Sequence, residues 1–110
     1  MTTNYKILGQ TAPTAATETL NYTVPASTST LVRSINITNT SATTDTYRVS
    51  LVPTAGSASV NANYIAYNNP IPGNSTITIK SGYTLPTGAG IRVTSTNGTT
   101  TFSTFGAEIS

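Results

Sequence analysis

A chain of 110 residues with eight charged side chains, a net charge of +2 and neither histidine nor cysteine leaves few chemistries open. Without cysteine there is no disulfide framework and no thiolate metal site, and without histidine the commonest zinc ligand and general base is missing. Leu, Ile, Val and Phe supply only 22 of the 110 residues, so the length specifies one domain, residues 1–110, whose core is thin against the chain entropy it must offset.

In chain order, Asn4 to Gln10 places Tyr5 and Ile7 on one side and Lys6 and Leu8 on the other, which predicts a strand ending at Gly9. Thr11 to Thr17 carries Pro13 among small residues and reads as a loop. Leu20, Tyr22 and Val24 then alternate with Thr19, Asn21 and Thr23, and Val24-Pro25-Ala26-Ser27-Thr28 turns the chain. Thr30 to Asn39 is the strand around which the rest is organised. Leu31, Ile35 and Ile37 share one face, Ser34, Asn36 and Thr38 the other, and Arg33 interrupts the apolar face with its guanidinium directed to the rim. After the polar tract 40–44, Asp45 to Pro53 directs Tyr47, Val49 and Leu51 inward and Arg48, Ser50 and Val52 outward.

From Thr54 to Asn63 the pattern loosens. A short helix through Ala58, Val60, Ala62 and Ile65 is disfavoured by the β-branched residues and the flanking Asn. Tyr64 to Tyr67 reads as a short strand and 68–74 as a turn dense in breakers. Ile77 and Ile79 alternate with Thr76, Thr78 and Lys80 until Ser81-Gly82 breaks the pattern, and Tyr83 to Leu85 is brief. Ile91 and Val93 stand opposite Arg92 and Thr94. Asn97-Gly98 then predicts a two-residue hairpin, with Thr99 to Phe105 as the partner strand and Phe102, Phe105 and Ile109 as the last bulky core groups. The fold class is all-β: an antiparallel β-sandwich or jelly roll of eight or nine short strands.

The five cations, Lys6, Arg33, Arg48, Lys80 and Arg92, form no run and interleave with no aromatic ladder, so no nucleic-acid partner is expected. The opening Met1-Thr2-Thr3-Asn4-Tyr5-Lys6 lacks a basic-then-apolar signal segment, and no apolar run approaches the roughly eighteen residues of a membrane span. Glu18, Asp45 and Glu108 lie on three different segments. Glu18 and Glu108 could meet in space, but solvated or salt-bridged carboxylates are the better expectation, and neither an enzyme site, a cofactor nor a metal is indicated. Gly88-Ala89-Gly90 joins two strands and opens no helix, so it has no basis for cradling phosphate. With so few ionic groups little repulsion holds copies apart, which points to a subunit of an assembly. The candidate interface residues are Tyr5, Arg33, Tyr64 and Tyr67. Tyr64 and Tyr67, with Asn61, Asn63, Asn68 and Asn69, have the chemistry of a sugar-stacking surface. The weightier reading makes one tyrosine core and the other an interface anchor.

Several stretches together resemble a known set. They are Tyr5-Lys6-Ile7-Leu8-Gly9-Gln10 with Ala12-Pro13, the segment Leu20-Asn21-Tyr22-Thr23-Val24-Pro25-Ala26, the strand from Leu31 to Asn39, and Phe105-Gly106-Ala107-Glu108-Ile109. Tyr64-Ile65-Ala66-Tyr67 before a proline-rich turn and Thr84-Leu85-Pro86 before a glycine turn belong with them. The pattern resembles small virion structural proteins of tailed bacteriophages, notably those of cyanobacteria. That resemblance implies a β-sandwich present in many copies on the virion, assembled in the host cytoplasm, with no catalytic residues. The implied role is a capsid decoration or cement protein docked on the major capsid protein as a homo-oligomer, with a trimer expected. The alternatives are a tail, baseplate or head-fibre subunit, or a carbohydrate-binding module for host attachment.

Overall fold

In a computed structural model that describes residues 2–110, the alternating β-branched and small polar residues form eight strands. These are β1 (Thr3–Thr11), β2 (Thr19–Thr23), β3 (Ser29–Asn39), β4 (Asp45–Val52), β5 (Tyr64–Ile71), β6 (Thr76–Leu85), β7 (Gly90–Ser95) and β8 (Thr100–Ile109). The first sheet has the order β1-β8-β3-β6 and the second β2-β7-β4-β5, with all neighbours antiparallel. The pairings nest: β4 with β5, β3 with β6, β2 with β7 and β1 with β8. They are those of one long hairpin rolled up until β8 also meets β3 and β7 also meets β4, which is the jelly-roll topology. Of all the sequence neighbours, only β4 and β5 share a sheet edge.

That topology corrects the hairpin expected at Asn97-Gly98. Both edges of β7 are taken by β2 and β4, and both edges of β8 by β1 and β3. The dipeptide therefore carries the chain from one sheet to the other; Gly98 supplies a left-handed turn at φ 74°, but no ladder follows. Two strands are also longer than their sequence suggests. β6 runs through Ser81-Gly82 as one strand, because β3 pairs with it on both sides of that dipeptide. β5 continues through Asn68, Asn69 and Pro70, an edge position where proline needs no ladder donor. In the loose stretch after β4 a single 3-10 turn, Asn61–Asn63, replaces any helix.

Bulges decide which side chains face inward, because one extra residue moves a whole strand segment to the other face. In β3 the register shifts between Val32 and Ser34, leaving Arg33 as the extra residue. Thr30 and Val32 therefore point inward together with Ile35, Ile37 and Asn39, all fully buried, whereas Leu31 lies on the outer side. Leu31 is thus not a core partner of Ile35 and Ile37. A shift around Asn21 in β2 similarly turns Tyr22 and Val24 in and leaves Leu20 exposed. In β1 the shift falls at Leu8, which packs against the core while Tyr5 and Ile7 face out. Phe105 is half-buried on the outer face beside Ile7, so only Phe102 of the two phenylalanines reaches the centre.

Val32, Ile35, Ile37, Val49, Ile71, Ile91, Val93 and Phe102 fill the space between the sheets, and Tyr47 meets Phe102 edge to face at 6.3 Å. Polar residues are buried with them, and among the described residues every buried side-chain polar atom has a partner. Asn39 ties three connections together. Its amide nitrogen donates to the carbonyls of Thr43 (2.7 Å) and Ile71 (3.2 Å), while its oxygen accepts from the Ser41 amide and the Thr99 hydroxyl. The long connection between β4 and β5 folds back over the outer face of the second sheet. There it covers Val52 and Ser50, with Ser59 bonded to Ser50 and Arg92 Nη1 donating to the Ala55 carbonyl at 2.8 Å.

The bulge at Arg33 presses the β3 backbone against β8. A Cβ at Gly106 would lie 2.0 Å from the Leu31 carbonyl oxygen, while one at Gly82 would meet nothing within 4 Å. Gly106→Ala is expected to lose about 1–3 kcal/mol of stability in denaturant unfolding, and Gly82→Ala less than about 0.5 kcal/mol. Equal losses would show that the bulge does not govern the contact.

Candidate functional site

The three carboxylates are each committed inside the fold. Glu18 accepts from Arg92 Nε, from the Ser59 amide and from the Ser59 hydroxyl. Burial pushes its carboxyl up, but the Ser59 bonds and the Arg92 charge outweigh that and leave it below the usual range. Glu108 accepts from the Tyr22 hydroxyl and from Lys6 Nζ at 3.2 Å. The Tyr22 bond draws its carboxyl down, against a smaller opposing effect of burial and with help from Lys6. Burial and the bond to Glu108 in turn push the Tyr22 phenol up to about 12. Glu18 and Glu108 therefore share no partner, and each has its own cation.

Asp45 is the buried member and has no cation. Ser95 and Thr100 donate their hydroxyls to Oδ2, and the amides of Thr46 (2.8 Å) and Asn97 (2.9 Å) donate to Oδ1. Burial pushes this carboxyl up, yet the four donors outweigh it and hold the group below its ordinary value. Its partners come from β4, β7, β8 and the connection between β7 and β8, so the carboxylate works as a staple across both sheets. No group of three potential metal ligands exists among the described residues.

The four candidate interface residues fall into two pairs on different sheets. Tyr5 and Arg33 meet on the outer face of the first sheet. With Lys6, Ile7, Phe105 and Gly106 they line a shallow depression of about 510 Å³. Tyr5 is 73% exposed and Ile7 52%. Tyr64 and Tyr67 meet on the outer face of the second sheet, ring centroids 4.8 Å apart and nearly perpendicular. Residues three apart in a regular strand face opposite ways. These two share a face because the register between Val49 and Ser50 leaves Ile65 as an extra residue in β5.

Neither tyrosine of the second pair is core: Tyr64 is half-buried and Tyr67 is 51% exposed. The Arg48 guanidinium lies 4.2 Å over the Tyr67 ring, and its Nε donates to Asn68 Oδ1 at 2.7 Å. Asn61 joins the two tyrosines around an open cleft of about 410 Å³. Of the asparagines grouped with these rings, only Asn61 lines the cleft, and Asn68 instead orients Arg48. Sequence reasoning missed Arg48, Ile7 and Phe105. Arg48 was legible as an outward residue of β4, but its contact depends on the second bulge of β5, at Tyr67 and Asn68, where Asn68 takes φ 50°. The arrangement holds a cation and an aromatic ring in a fixed exposed pair, which is hot-spot chemistry for protein contact.

Arg48→Ala should shift the Tyr67 ring resonances in NMR spectra and cost less than about 1 kcal/mol of stability, because the pair is exposed. All three carboxyls are depressed in the fold, so their stabilisation is complete above the ordinary carboxyl values of 3.8 and 4.5 and is lost as pH falls through the lower folded values. With no histidine to titrate, the melting temperature should stay level from about pH 5 to pH 7 and drop below about pH 4. Asp45→Asn should be less stable at neutral pH and converge with the parent chain in acid, as followed by circular dichroism. No family model, curated protein sequence or solved structure matches the chain.

Proposed function

We propose that this protein is a non-enzymatic structural subunit of a virus particle, a decoration or cement protein that bridges major capsid subunits as an oligomer. The observation that carries the reading is the placement of its aromatic, apolar and cationic side chains. Tyr5, Ile7 and Tyr67 stand exposed on the two outer sheet faces beside Arg33 and Arg48, in a chain with only eight charged side chains. Exposed aromatic and arginine side chains on a flat rigid face are what an interface uses, and a surface poor in charge resists burial less than an ionic one. The role is mechanical: such a sandwich adds contact area between neighbouring shell subunits. The resemblance of its strands to small phage virion proteins supports the same reading.

Imaging of intact particles tests it. A copy number that is a fixed simple fraction of the major capsid protein, with the sandwich seated over capsid subunit junctions, is the expected result. Particles lacking the protein should lose genome on heating or dilution before complete ones do. Density confined to the tail or baseplate would replace the shell role with the tail role, and particles of unchanged resistance would overturn the cement role. The cleft of Asn61, Tyr64 and Tyr67 favours one further reading, a carbohydrate site. A glycan-array signal that disappears on Tyr67→Ala would move the assignment there.

A further inference from the structure

We propose that the outer face of the first sheet docks an acidic surface of a different protein, and that a second copy of this chain does not occupy it. The proposal rests on the structural-subunit reading and names the chemistry of the partner. Register places Ile7, Phe105, Ser34 and Lys80 in one row across β1, β8, β3 and β6, and Tyr5, Ala107, Leu31 and Thr84 in the row beside it. Arg33, the extra residue of β3, projects between the two rows. The patch therefore has an apolar and aromatic centre with two cations beside it. The second sheet is partly covered by the connection between β4 and β5, whereas this face stays open to solvent at Tyr5, Ile7, Arg33, Thr78 and Lys80.

Charge decides the occupant. Among the described residues the ion pairs are Lys6 with Glu108 and Arg92 with Glu18, so Arg33 and Lys80 face solvent with no carboxylate beside them. The chain has no other acidic side chain to offer, because its third, Asp45, is 1% exposed and saturated by donors from both sheets. A second copy docked through the same face would set these cations against each other with nothing to neutralise them, and like charges brought together at an interface are costly. A partner bearing Asp or Glu around an apolar spot satisfies both parts of the patch. Two cations flanking an apolar centre are too few to follow a phosphate backbone.

The test uses the full chain, isotope-labelled, titrated in NMR with a peptide of alternating Glu and Phe. The expected result is a set of shifts confined to Tyr5, Ile7, Leu31, Arg33, Phe105 and Lys80, weakened by added salt. Arg33→Glu combined with Lys80→Glu should lower the affinity roughly tenfold or more, and Ile7→Ser should lower it with the charges intact. All three positions are exposed, so the unperturbed part of the spectrum reports that the fold is kept. Equal binding of a peptide of alternating Lys and Phe overturns the proposal, as does tighter binding of oligothymidylate to this face. Shifts on this face when the protein alone is concentrated assign it to a second copy and also overturn it, and so does a complete absence of shifts with the acidic peptide. If particles take up the doubly reversed variant normally and are stabilised by it, this face is not the docking face, while the cement role itself survives.

Discussion

A single extra residue in β3 governs the sandwich. Arg33 breaks the two-residue period in the strand that lies between β8 and β6, and the break sends Val32 inward in phase with Ile35 and Ile37. Without that shift Leu31 and Arg33 would share a face with Ile35 and Ile37, and a guanidinium would be driven into an interior that holds no free carboxylate to receive it. The bulge also brings the Leu31 carbonyl so close to β8 that only glycine fits at position 106. An exposed cation, a buried valine and an invading carbonyl are thus three results of one irregularity.

The thin core needs help from polar groups, and the way they are used explains the surface. The buried Asp45 and Asn39 gather donors and acceptors from loops that would otherwise leave backbone groups unmet, closing one end of the jelly roll. Glu18 and Glu108 brace the sides, each with a cation and a hydroxyl group. Since all the acids are spent on holding the chain together, the ions left outside are positive. The basic character of the chain is therefore concentrated at its outer faces rather than spread evenly.

Those faces connect the fold to the proposed role. A jelly roll presents two broad sheet surfaces, and on the second the bond from Arg48 to Asn68 and its stacking on Tyr67 order that pair before any partner arrives. Contact made by preordered groups loses little side-chain entropy, and this favours a protein whose work is to stay attached. Long-range pairing throughout, from β1 with β8 inward to β4 with β5, also implies slow folding, which suits a part made once and kept in an assembly.

The all-β class, a count of eight or nine strands and most inward positions of β4, β6 and β7 were determined by the sequence alone, because period-two alternation is a local property of neighbouring residues. The absence of histidine and cysteine likewise limited the chemistry before any fold was known. Tertiary structure alone decided the partner of each strand, which is why Asn97-Gly98 crosses between sheets although its local chemistry suits a hairpin. It also decided the phases of β1, β2, β3 and β5, since a bulge is set by the register of paired strands; in β3 read singly Arg33 marked an interruption of the apolar face but not which residues turn inward. For the same reason the sequence could offer Tyr5, Arg33, Tyr64 and Tyr67 only as candidates, with one of the two neighbouring tyrosines expected in the core. Their division into two separate patches, and the part taken by Arg48 in one of them, depended on contacts that only the folded chain creates.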